Sequence, residues 1–153
     1  MKKLFTLLMS ICLVMSGCAI TDHSGAKTKK SIENKLETKK EKSIEITPMK
    51  MKAQTSKKKG KKEIVVTYKV KNLSTEKLGV VADDFFFLKD EETQFFAKGS
   101  LKNMNEVLEP NEEKLGRGYY LVDENIQKLD LYYLPVTSSE KIVWKNIQLP
   151  KIK

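Results

Sequence analysis

Near the middle of the chain, the stretch EIVVTYKVKN alternates apolar and polar side chains almost strictly. Ile64, Val66, Tyr68 and Val70 fall on one side, and Thr67, Lys69 and Lys71 on the other. A period of two is the repeat of an extended strand, whereas a helix brings together residues three and four apart. Neighbouring segments read the same way. SIEITPMKM alternates Ile44 and Ile46, then Met49 and Met51, and Pro48 shifts the phase as an edge-strand proline or a bulge does. EKLGVVADDFFFLKD holds two short β-rich runs around Asp83 and Asp84, and TQFFA, KLGRGYYLV, KLDLYYL and KIVWKNIQL follow. Seven or eight short strands in about 110 residues, with turn signals between them, predict an all-β sandwich over 43–153. A domain of that size buries a sufficient core without disulfides. The one helical expectation is a turn or two around Lys98 to Val107.

Charge separates this domain from what precedes it. From Lys27 to Lys62 there are 14 Lys and four Glu, a net of +10, although the whole chain carries only +9. From Glu63 onward 12 Lys and Arg117 face 15 acids, a net of −2. The segment TDHSGAKTKKSIENKLETKKEK contains almost no large apolar residue besides Ile32 and Leu36. It cannot bury enough surface to offset its ordering entropy, so residues 18–42 read as a disordered, lysine-rich tether. A second cluster, SKKKGKK, lies between two strand-like segments and reads as a charged hairpin loop with Gly60 at its turn. Its lysines, Lys57, Lys58, Lys59, Lys61 and Lys62, are candidates for binding an anionic surface, either lipid or wall polymer. Plain solvation of both clusters is the alternative. Nucleic acid is a poor partner, because the tract lacks interleaved aromatics and its N-terminal signal sends it outside the cell.

At the N-terminus, Lys2 and Lys3 precede an apolar run from Leu4 to Met15 interrupted only by Thr6 and Ser10. That is the layout of a secretory signal, and the run is shorter than the roughly 20 residues a membrane span needs. Val14, Met15, Ser16, Gly17 and Cys18 then resemble the lipobox of bacterial lipoproteins, with Met15 where an aliphatic residue, usually Leu, is preferred. The resemblance implies cleavage after residue 17 and a diacylglycerol on Cys18, which would anchor residues 18–153 to the outer face of the cell membrane. An ordinary secretory cleavage near Gly17 or Ala19 is the alternative. Cys12 lies within the signal, so the mature chain is expected to hold no disulfide.

Within the domain, VVTYKVKNLSTEKL, DDFFFLKDEETQF, LEPNEEKLGRGYYLV and LDLYY, in that order, resemble the telokin-like, immunoglobulin-like domains of Gram-positive lipoproteins. In those domains a strand ends in Asn plus a small polar residue, as Asn72 and Ser74 do. A Phe-x-Leu strand with acidic flanks follows, as Phe86 to Asp90 do, and then a Leu-x-Pro-Gly-Glu turn. Here that turn is Leu108, Glu109, Pro110, Asn111 and Glu112, with Asn in place of Gly. Asn tolerates positive φ best among the non-glycine residues, so the turn is expected to survive. Gly116 and Gly118 match the small residue that follows it. Where the family often carries Asp-x-x-Gly, this chain reads DEET. The resemblance covers about Lys42 to Leu149 and implies an immunoglobulin-like β-sandwich, with no functional site attached to it.

Chemistry is sparse. His23 lies in the tether beside Asp22 and Ser24, where nothing packed orients it. Without a mature free cysteine there is no thiol nucleophile and no cysteine metal site. With a single histidine and no Gly-x-Ser-x-Gly elbow, no serine triad assembles. Asp83, Asp84, Asp90, Glu91 and Glu92 lack the ligand spacing of a calcium loop and read as solvated turn residues. Neither a cofactor nor a metal is expected. Trp144, Tyr119, Tyr120, Tyr132 and Tyr133 read as core, except that one ring of each adjacent tyrosine pair must point outward, which leaves room for a small aromatic surface patch. Two function classes follow, neither an enzyme. The first is a lipid-anchored extracellular module that binds another envelope protein or polymer. The second is a regulatory or inhibitory lipoprotein acting on an envelope enzyme, transporter or conjugation machine.

Overall fold

The computed structural model describes residues 36–152, and the expected signal segment 1–17, Cys18 and most of the expected tether lie outside them. Ten strands are assigned among the described residues: β1 (Lys39–Lys40), β2 (Ile44–Thr55), β3 (Lys61–Asn72), β4 (Leu78–Val81), β5 (Phe85–Leu88), β6 (Gln94–Phe96), β7 (Asn105–Leu108), β8 (Glu113–Asp123), β9 (Lys128–Tyr133) and β10 (Ile142–Gln148). They form one antiparallel sheet in the order β1-β2-β3-β8, a second in the order β10-β9-β5-β6, and a ribbon of β4 with β7. The fold is an all-β sandwich, as the alternation implies. The ribbon lies where the chain crosses from β3 into the second sheet and from β6 back to β8.

Period two fixes which side chains meet between the sheets. Ile64, Val66, Tyr68 and Val70 of β3 are completely buried, and so are Phe85 and Phe87 of β5 and Leu131 of β9. Aromatic rings cross the gap. Tyr68 stacks on Phe85 with centroids 4.2 Å apart, and Phe87 meets Tyr120 edge-on at 5.0 Å. Two of the hydroxyls this core takes inside satisfy one another, Tyr68 Oη lying 2.8 Å from Tyr120 Oη. Burial pushes both phenols above their ordinary pKa, so they stay neutral and hydrogen-bonded. Gly118 makes room for this pair: the Tyr120 ring folds back over it, and a Cβ there would clash with the ring edge and its hydroxyl.

Local irregularities follow the expected residues. The β2–β3 register slips between Pro48 and Lys50, where proline removes a ladder donor. Asn111 sits at φ 64°, keeping the turn its glycine counterpart would make. The DEET turn closes without glycine, because Asp90 Oδ1 accepts the N–H groups of Glu92 and Thr93.

Two expectations need correction. No helix occupies 98–107. Ser100 Oγ accepts the Lys102 N–H and Asn103 Nδ2 donates to the Lys98 carbonyl, so local side chains capture the backbone groups a helix would use. The segment becomes a turn followed by β7. The ordered domain also begins before Ser43. Leu36 N–H donates to the Pro48 carbonyl at 2.9 Å, β1 pairs with β2, and Trp144 Nε1 donates to the Glu37 carbonyl at 2.7 Å. Residues 36–42 therefore bridge the two sheets along one side of the sandwich.

Candidate interaction surfaces

The hairpin joining β2 to β3 turns through Gly60 at φ 72°, where a residue with a Cβ would be strained. Ser56 Oγ accepts the Lys58 N–H at 3.0 Å, and Lys61 N–H donates to the Lys58 carbonyl at 3.2 Å, so the tip is an ordered turn. The structure divides the five candidate lysines. Lys57, Lys58 and Lys59 are exposed at the tip and have no ion-pair partner among the described residues. Lys61, the first residue of β3, pairs with Asp123 of β8.

Lys62 does not belong to an exposed cluster. It shares the phase of Ile64 and Val66 and is 4% exposed, with Nζ reaching out to donate to the Ile126 carbonyl at 2.7 Å. Burial lowers its pKa, which the nearby charge of Glu124 partly offsets. Its position in the β3 alternation already carried this signal, obscured by the run of lysines around it.

A second surface lies on the outer face of the second sheet. Register aligns Val143 with Tyr132, Tyr132 with Phe86, and Phe86 with Phe96, so one row crosses all four strands. Tyr132 and Phe86 stack with centroids 5.3 Å apart, and Phe86 and Phe96 follow at 5.1 Å. Phe86 is sheltered by its neighbours, whereas Phe96 at the edge is 53% exposed. Of each adjacent tyrosine pair, Tyr120 and Tyr133 point inward, and Tyr119 and Tyr132 outward. The alternation implied the outward tyrosines; Phe86 and Phe96 join them through strand pairing.

Cations rim this row. Lys141 Nζ and Lys145 Nζ stand 5.5 Å and 5.4 Å from the Tyr132 centroid, within cation–π range. Lys145 also donates to Asp130 Oδ2 at 2.7 Å and to Tyr132 Oη at 3.2 Å. A bulge in β10 puts Asn146 at φ 52° and turns its N–H onto Asp130 Oδ1 at 2.7 Å. Partial burial raises the Asp130 pKa, but the Lys145 ammonium and the Asn146 N–H outweigh it and hold the carboxyl below its ordinary value.

The acidic run builds turns. Asp84 is buried, not solvated as expected, and accepts the Val81 N–H at 3.1 Å, while Asp90 closes the β5–β6 hairpin. Among the described residues, no three His, Cys, Asp or Glu side chains are grouped to hold a metal ion.

No protein-family model and no curated protein matches the sequence. Solved structures share its fold. A "putative lipoprotein (ycdA)" of Bacillus subtilis matches with a TM-score of 0.59 and 16% identity over 72% of this chain, which spans 38% of that protein's length. The yjhA protein of Bacillus subtilis matches with a TM-score of 0.55 and 14% identity, covering 74% of this chain and 96% of its own. At these identities the likeness is one of fold.

Proposed function

We propose that this protein is a lipid-anchored module on the outer face of a bacterial cell membrane, where its sandwich binds another envelope protein. The observation that carries the reading is the succession in one chain of a short apolar signal, Ser16-Gly17-Cys18 and a compact all-β domain. A "putative lipoprotein (ycdA)" with the same fold supports it. The domain offers a partner the row from Val143 to Phe96, with rings to bury and the Lys141 ammonium to meet a carboxylate, while Lys145 is held by Asp130. Such a surface suits recognition.

Labelled palmitate fed to cells expressing the full chain tests the anchor. Incorporation is expected, together with recovery in the membrane fraction, and Cys18→Ala should abolish both. Equal labelling of the variant, or none in either protein, refutes the reading.

A further inference from the structure

We infer that the β2–β3 hairpin tip docks onto anionic phospholipid headgroups, so that the sandwich stands on the bilayer with Lys57, Lys58 and Lys59 facing it. The inference rests on the lipid-anchor reading and adds an orientation to it.

Charge singles out the hairpin tip. Three consecutive exposed ammoniums crown an ordered turn and have no ion-pair partner among the described residues. Immediately behind them, Lys61 is neutralised by Asp123 and Lys62 is drawn inward. At the opposite end three lysines are committed to carboxylates: Lys77 to Glu109 at 2.6 Å, Lys69 to Glu113 at 3.0 Å, and Lys114 to Glu106 at 3.1 Å. Moving those lysines onto a membrane would break an ion pair each, whereas the tip lysines exchange only water and counterions for headgroups.

The chain path is compatible with this pose. β1 runs antiparallel to β2, so tracing back from Lys40 beside Glu45 to Leu36 beside Pro48 leads toward the tip. From Pro48 to the tip is roughly 25 Å at the rise of a strand. The 18 residues from Cys18 to residue 35 reach at most about 60 Å when extended. An acylated Cys18 in the bilayer therefore leaves enough chain for the tip to touch the headgroups.

The test uses the mature chain from residue 18 with Cys18→Ser, so that its outcome is independent of acylation. Partitioning onto vesicles containing phosphatidylglycerol is measured by sedimentation, with pure phosphatidylcholine vesicles alongside. Binding to the anionic vesicles only, weakening steeply as salt rises, is expected. With three lysines near the surface, replacing Lys57, Lys58 and Lys59 by Gln should reduce partitioning by up to about 10²-fold while the circular dichroism spectrum is unchanged. Partitioning that survives the triple replacement assigns the attraction elsewhere and overturns the inference. So does a soluble glycerol-phosphate polymer that competes as well as the vesicles at equal phosphate, since it makes the ligand a wall polymer. Acylated protein carrying a fluorophore at Thr55→Cys or at Thr75→Cys reports the orientation. Headgroup quenchers should reach the first more strongly, and equal quenching overturns the pose without touching the anchor.

Discussion

Asn72 closes β3 with its side chain fully buried between two turns. Its Nδ2 donates to the carbonyls of Glu76, Leu108 and Glu109 at 2.7, 3.1 and 3.2 Å, and its Oδ1 accepts from the Ser74 N–H and hydroxyl. Its backbone carbonyl receives the Asn111 N–H at 3.1 Å. One amide thus ties the turn after β3 to the turn before β8, which is the physical content of the Asn and Leu-x-Pro pattern seen in the sequence. Truncation removes a donor from three carbonyls, the Leu108 one buried, and the acceptor of the Ser74 N–H and hydroxyl. Asn72→Ala should therefore cost about 2–4 kcal/mol, read as a lower urea midpoint with an unchanged slope. An unshifted midpoint would mean that water replaces the amide without loss. Asn111 was legible for the same reason: the positive φ of a tight turn admits few residues. Lys62 was not, because in a run of five lysines over seven positions composition masks phase, and only the pairing of β3 with β8 brings the Ile126 carbonyl within reach of Nζ.

At the level of elements, strands with a strong alternation were legible throughout; the turn at 98–104 was hidden by local side-chain hydrogen bonds, and the order of residues 36–42 depends on contacts distant in sequence. Residues 36–42 read as tether because lysines dominate them and Leu36 is their one large apolar side chain. Their order comes from Pro48, Thr47 and Trp144: Thr38 Oγ1 lies 2.7 Å from Thr47 Oγ1, and the Trp144 indole donates to Glu37. β1 is two residues long and could not persist without that packing. Comparing a chain that starts at residue 32 with one that starts at Lys42 tests its contribution. The shorter chain should lose about 1–3 kcal/mol of stability and show red-shifted Trp144 emission, since a buried indole N–H loses its acceptor. Equal midpoints and identical emission would place the domain boundary back at Ser43. The aromatic row has the same origin. FFF and YY show only that some rings face outward; the alignment of Phe96, Phe86 and Tyr132 is a property of register across β6, β5 and β9.

As a whole, the molecule combines a core closed by aromatic contacts across the sheets with two surfaces of different chemistry. One is a cationic tip at the end of the longest hairpin, the other an aromatic row rimmed by Lys141 and Lys145. A module of this kind works only where it is held, so the account turns on residue 18. The most direct measurement is the intact mass of the protein extracted from the membranes of cells expressing the full chain. A chain that begins at Cys18 and carries at least a diacylglyceryl group is predicted. A mass that retains residues 1–17, or that corresponds to an unmodified chain beginning at or after residue 18, would contradict it.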